Sequence, residues 1–195
     1  MKKNAFTLIE LLVVIAIIGF LTTGAIFGAA RSRRVSSLSR AAKEVLLALR
    51  DAQNKSLITQ KGSSGIVPCG YGVHHDLADE KGFIIFREET LPSGGECTAT
   101  STPDQNIDRL YQVPGGYGDD LLLETFTITE SNYVKIANHF DDIYFEPPDG
   151  LTYFDGIHDN TIASTTEIIL CLRSDCINYR KSVTVYLGGN IEILD

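Results

Sequence analysis

The chain has 195 residues, enough for one domain with appendages or two very small domains, and its charge differs sharply between its two parts. Residues 1–61 carry ten Lys or Arg and three Asp or Glu, whereas residues 62–195 carry seven and 22. This division indicates a basic stem and an acidic head. Because an acidic surface repels phosphate backbones, direct nucleic-acid binding by the head is disfavoured.

The first predicted element is an apolar helix near the N-terminus. Residues 11–30 contain no charged side chain, and a helix over this run spans about 30 Å, the hydrocarbon thickness of a bilayer. Lys2 and Lys3 precede the run and favour a cytoplasmic N-terminus. Three arginines follow it within residues 31–34, so the flanking charges alone leave the orientation open.

Three interpretations of this segment compete, and Glu10 separates them. The segment is a secretory signal peptide with small residues for cleavage at 28–30, a plain single-span anchor, or a segment that is cut near its start and packs in an assembly. A carboxylate at the start of an apolar run costs about 2.5–3.5 kcal/mol if it enters lipid. Neither a signal peptide nor a plain anchor gives that carboxylate a role. A freshly exposed α-amine at Phe6 would give Glu10 a partner inside an assembly.

The residues around Glu10 carry a specific resemblance to a known family. The sequence AFTLIE, from Ala5 to Glu10, continues as LLVVIAIIG and resembles the class III signal of type IV pilins and type II secretion pseudopilins. In that family a prepilin peptidase cuts before the Phe, on the cytoplasmic side, and N-methylates the new terminus. The resemblance therefore implies a cut between Ala5 and Phe6, N-methylation of Phe6, and a cytoplasmic leader of residues 1–5.

The same resemblance implies partners and a location. Glu10 would neutralise the Phe6 amine of a neighbouring pilin or pseudopilin subunit in the filament core. The chain would sit in the cytoplasmic membrane as a single-pass protein in contact with lipid, with its head outside, and would engage an inner-membrane assembly platform. Two features depart from the family pattern: Ala5 stands where Gly is usual, and the helix lacks the Pro that many pilins have midway.

From residue 31 the pattern becomes that of an amphipathic helix. Apolar and small residues recur at steps of three and four, as on one helix face: Leu38, Ala42, Val45, Leu49, Ala52 and Ser56. No Pro or Gly interrupts residues 29–61, and Gly62 supplies a stop signal. We therefore expect one helix over about residues 6–61, with residues 6–30 in lipid or in a filament core and residues 31–61 against the head.

After Gly62 the chain changes to short β-branched and aromatic runs separated by turn residues. The predicted strands are Gly65–His74, Gly82–Arg87, Leu121–Thr129, Ile143–Phe145, Leu151–Phe154, Glu167–Leu172, Ser182–Leu187 and Asn190–Leu194. Gly188 and Gly189 separate the last two strands and predict a hairpin. The expected fold class is α+β and pilin-like, with the long helix packed on an antiparallel sheet domain of residues 62–195.

A looser resemblance concerns the subfamily. The stem from Arg31 to Lys61 is similar to that of GspH/FimT-type minor pilins and pseudopilins, through Ala41, Leu49, Arg50, Ala52 and Gln53. Phe145, Pro147 and Gly150 and the closing hairpin of residues 182–193 also resemble late strands of that subfamily. Residues 82–120 have no counterpart in this comparison.

The four cysteines all follow the apolar run and, in an exported domain, predict two disulfides: Cys69, Cys97, Cys171 and Cys176. Three pairings are possible, and local pairing of Cys69 with Cys97 and of Cys171 with Cys176 is the least demanding. Free thiols are the alternative. No pair has the CxxC spacing of a zinc site, so zinc is disfavoured.

Signals for chemistry in the head are sparse. Asp104, Asn106 and Asp108 resemble the start of a calcium loop, but the positions that an EF-hand fills with Gly and Glu are Arg109 and Gly115, so only a different calcium loop remains open. Further acidic residues, among them Asp141 and Asp142, are expected in solvated turns. His74 and His75 adjoin on a strand and point to opposite faces, and His139 and His158 are isolated in sequence.

No nucleophile elbow and no phosphate-binding loop is present, so we expect no enzyme and no cofactor. Two functions remain. The first is a structural subunit, in particular a minor subunit, of a type IV pilus or type II secretion pseudopilus. The second is a filament-tip or membrane-anchored module whose head binds a surface, a secreted substrate or DNA.

Overall fold

A computed structural model of the chain describes residues 8–58, 68–76, 79–89, 111, 121–140, 142–147, 151–155 and 164–194. The side chains of residues 24–31, 89, 121 and 122 are outside this description. Helix α1 covers Leu8–Ile58, 51 residues without a break, and confirms the predicted long helix. The leader, Ala5, Phe6 and the predicted stop at Gly62 lie outside the described residues.

Nine strands follow α1 in the described part of the chain. Their bounds are β1 Pro68–His74, β2 Gly82–Glu89, β3 Leu121–Thr127, β4 Val134–Ile136, β5 Ile143–Glu146, β6 Leu151–Phe154, β7 Thr165–Leu172, β8 Asp175–Tyr186 and β9 Ile191–Leu194. All eight predicted strands are present. The prediction missed β4 and placed the start of β8 seven residues too late, at Ser182.

The strands form two antiparallel sheets. The first has the order β3-β2-β1-β5-β6 and the second the order β4-β7-β8-β9. The hairpin between β8 and β9 turns at the predicted glycines, and Gly189 has a φ of 79°, a conformation that glycine adopts at no steric cost. Helix α1 contacts strands of both sheets. Because a long N-terminal helix packs on antiparallel sheets that follow it in the chain, the fold is α+β and pilin-like.

The main core lies between α1 and the sheets. The face of α1 that was predicted to be buried is buried: Leu38, Ala42, Val45, Leu49, Ala52 and Ser56 are all 2% exposed or less. The apolar residues of this face pack in one cluster with inward side chains of both sheets, such as Val73, Ile143 and Val185. The stem therefore continues into the head as a single packed unit.

A second, smaller core lies on the other face of the first sheet. Cys69, Phe86 and Tyr144 are buried there, with Ile84, Tyr111 and Tyr153 packed beside them. Gly72 makes this layer possible, because a Cβ at this position would collide with the ring of Phe86. The head thus has apolar layers on both faces of this sheet.

A disulfide joins Cys171 and Cys176 at the β7–β8 turn, as local pairing predicted. Leu172 pairs with Asp175 while Cys171 pairs with Arg180, so four residues of β8, 176–179, have no partner on β7 and form a bulge. Closing so short a loop stabilises the fold by about 2 kcal/mol in the chain-entropy estimate. Cys69 is also disulfide-bonded, and its predicted partner, Cys97, lies outside the described residues.

Candidate assembly site on helix α1

The first half of α1 is apolar and exposed. Leu8 is 81% exposed and Phe20 is 83% exposed, and each large apolar residue between them is about half exposed or more. In contrast, Val45 and Leu49 in the second half of the same helix are fully buried. So long an apolar surface on an otherwise packed protein marks an interaction site, with lipid or with other protein.

Glu10 lies in the first described turn of α1 and is exposed. It is the one acidic residue of the chain before Glu44. A carboxylate in the first turn is favoured by the positive end of the helix dipole, by about 0.3–1 kcal/mol.

Two threonines in this apolar half of α1 hydrogen-bond to the backbone of the same helix. The Thr22 hydroxyl donates to the carbonyl of Ile18 at 2.9 Å, and the Thr23 hydroxyl donates to the carbonyl of Gly19 at 2.8 Å. Both hydroxyls are thereby satisfied within the helix, as required of a polar group that enters lipid or a protein core.

The second half of α1 is held on the head by polar contacts at both ends of their interface. Arg40 forms a 2.8 Å ion pair with Glu130, and the Glu44 carboxylate accepts the backbone N–H of Thr129 at 3.0 Å. Further along, the Gln53 amide donates to the carbonyl of Gly189 at 2.8 Å. These contacts fix the register of the stem against the sheets.

Among the residues that the structure describes, no helix is found that is long and apolar enough to cross a membrane. The predicted span, residues 6–30, includes residues 6–7 and the side chains of 24–30, which lie outside the description.

Away from α1, the structure places His74 against a buried carboxylate. His74 Nδ1 lies 2.6 Å from Asp142 Oδ1, and Asp142 Oδ2 accepts the backbone N–H of Tyr111 at 2.8 Å. The Tyr111 ring stacks on the His74 ring with centroids 4.7 Å apart, and Asp155 accepts the backbone N–H of Asp142. The expectation that Asp142 is solvated is wrong: it is 7% exposed, because it enters β5 beside the end of β1.

The second histidine of the pair points the other way, as predicted. His75 is 3% exposed, stacks on Phe140 at 4.8 Å, and its Nε2 lies 3.0 Å from the carbonyl of Asp79. Burial lowers the pKa of His75. His139, which is isolated in sequence, lies close to His75 in the fold, with ring centroids 5.9 Å apart.

Neither cluster amounts to a metal centre. Within the described ranges, no group of three or more His, Cys, Asp or Glu side chains is placed to hold a metal ion. Residues 104–108, which resemble the start of a calcium loop, lie outside these ranges. His74 and Asp142 instead tie the end of β1 to the start of β5 and to Tyr111.

The His74–Asp142 contact predicts a specific pH dependence of stability. The hydrogen bond that His74 donates to the Asp142 carboxylate raises the pKa of His74 above its usual value of 6.5, so this contact stabilises the fold fully below pH 6.5 and is lost as the pH rises through the folded-state pKa. We expect His74→Gln and Asp142→Asn each to remove about 1 kcal/mol at pH 6 and less at pH 8. Denaturant unfolding of the full chain in detergent at both pH values measures this, and equal losses at the two pH values would contradict it.

A comparison with known families identifies the N-terminal segment of the chain. Residues 1–26 match the family model described as Prokaryotic N-terminal methylation motif. The chain therefore carries a prepilin segment of the type IV pilin and pseudopilin type. No curated protein and no solved structure matches the chain.

Proposed function

We propose that this chain is a structural, minor subunit of a type IV pilus or a type II secretion pseudopilus. One observation carries the proposal: a single 51-residue helix exposes its apolar first half and buries one face of its second half against a head. This division suits a subunit whose apolar half of α1 lies in lipid before assembly and packs among neighbouring stems afterwards. The methylation motif at residues 1–26 supports the same conclusion.

In the proposed sequence of events, prepilin peptidase removes residues 1–5 on the cytoplasmic side and methylates Phe6. Residues 6–30 hold the protein in the cytoplasmic membrane, with the head outside. The assembly platform then moves the stem from lipid into the filament, where Glu10 meets the Phe6 amine of a neighbour. The loose GspH/FimT resemblance of the stem supports a minor rather than a major role.

The test of this function is the chemical identity of the mature N-terminus. The full chain is expressed with and without a prepilin peptidase, and its N-terminal peptide is read by mass spectrometry. We expect N-methylated Phe6 with the peptidase and intact Met1 without it. A new terminus near Arg31, or an intact Met1 in both samples, would show that the chain is a secreted or anchored protein of another kind.

A filament-tip or anchored binding module is the second candidate, and one observation favours it. Ile177 is 89% exposed in the bulge of residues 176–179, next to Cys176 of the disulfide. Burying this side chain against a partner would remove apolar surface from water, which is favourable. Abundance separates the candidates: a tip subunit is scarce in sheared filaments, whereas a shaft subunit is present along their length.

A further inference from the structure

The second half of α1 has an outward face with unbalanced positive charge. Arg40 is exposed on this face, but it pairs with Glu130 of the head. Arg33, Lys43 and Arg50 are exposed there as well, opposite the buried face, and extend over about 26 Å of helix. Leu47, 64% exposed, lies among them. We define the basic stripe as Arg33, Lys43 and Arg50.

The acidic residues of the stem are not available to balance a neighbour's basic stripe. The Glu44 carboxylate accepts the backbone N–H of Thr129, and Asp51 pairs with Lys55 at 2.6 Å. Glu10, the remaining acidic residue of the stem, lies at the far end of the helix. A second copy of this stem therefore presents mainly positive charge to the first.

This imbalance decides which neighbour the stem prefers. Packed helices lie about 8–10 Å apart, close to the Debye length at physiological salt, so charges on facing stems are screened in part but still interact. Like charges at this distance repel. Identical copies whose stems packed through their outward faces would therefore bring basic stripes together at a cost in energy.

We infer that the neighbour of this stem is a different pilin-like subunit, whose stem presents carboxylates to the basic stripe. This inference rests on the proposed function, because it requires stems to pack against each other. It specifies the partner by the charge of its stem: the chain assembles with a different subunit whose stem is acidic.

The test uses a charge-inverted copy of the chain as the acidic-stem probe. Both copies carry Leu47→Cys, and the probe also carries Arg33→Glu and Lys43→Glu, whose side chains make no described contact with the head. The two full-length chains, distinguished by tags, are placed in phosphatidylcholine vesicles and linked with a short bismaleimide. We expect about fivefold more mixed product than same-chain product at low salt, and equal amounts in about 1 M salt.

The control copy carries Lys81→Glu and Arg180→Glu, the same change of charge placed in the head. It should cross-link with the basic-stripe copy no better than that copy links with itself. Equal mixed and same-chain products at low salt would overturn the inference, as would a control that behaves like the probe. A same-chain product that rises to the mixed level when phosphatidylglycerol is added would assign the basic stripe to anionic lipid and also overturn it.

These outcomes are separate from failure of the proposed function. A methylated Phe6 together with equal cross-linking leaves a pilin-like subunit that assembles with its own copies. An unprocessed N-terminus removes the proposed function itself, whatever the cross-linking yields.

Discussion

A Glu10→Ala chain should be cleaved and methylated normally but fail to enter filaments. In the proposed assembly, the substitution would leave the Phe6 amine of a neighbour buried without a counter-charge, at a cost of about 3–5 kcal/mol, which corresponds to a loss of incorporation of about 100-fold or more. Glu10→Gln keeps the size and polarity of the side chain but lacks the charge, so it should fail as well. Tagged variant and unsubstituted chains are co-expressed, and their ratio in sheared filaments is compared with their ratio in membranes.

The matched control is Glu192→Ala, which removes an exposed glutamate from β9 in the head. It should enter filaments as the unsubstituted chain does. Mass spectrometry of Phe6 in each variant separates failed processing from failed assembly. Incorporation of Glu10→Ala at the normal ratio would show that this carboxylate has no part in assembly.

Leu49→Ala should destabilise the protein by about 2–5 kcal/mol, the usual cost of removing a fully buried leucine side chain. Leu49 is 0% exposed and packs in the core between α1 and the sheets, so its loss leaves a cavity under the stem. Denaturant unfolding of the full chain in detergent gives the change in free energy. We expect the head to unfold together with the stem in one transition.

Leu47→Ala is the matched control, two positions away on the same helix. Leu47 is 64% exposed, so the same chemical change should alter the free energy of unfolding by no more than about 0.5 kcal/mol. Equal destabilisation by the two variants would mean that the stem is not packed on the head as described.

Local patterns were sufficient to predict the stem and most strands. The three- and four-residue spacing of Leu38, Ala42, Val45 and Leu49 predicted the buried face, because a helix places such residues on one side. β4 was missed because Val134–Ile136 is too short to show an alternating pattern. It forms a strand because it pairs with β7. The first part of β8 was missed because its polar residues around Asn178 resemble a turn, and that part does contain the bulge.

The histidine cluster could not be predicted from the sequence. His74 and Asp142 are 68 residues apart, and only the pairing of β1 with β5 brings them together. Adjacent aspartates resemble a solvated turn, and nothing near Asp142 in sequence indicates that it is buried. The Cys171–Cys176 disulfide was predictable because its partners are five positions apart.

The attachment of the stem to the last hairpin has a consequence for the order of maturation. Gln53 and Arg50 donate hydrogen bonds to the carbonyls of Gly189 and Ile191, which lie 136 and 141 positions later in the chain. The stem therefore cannot complete its docking on the head until residues up to β9 have been synthesised. A pull on the stem would act on this hairpin through the same two hydrogen bonds. Docking of the stem is thereby coupled to the synthesis of the β8–β9 hairpin.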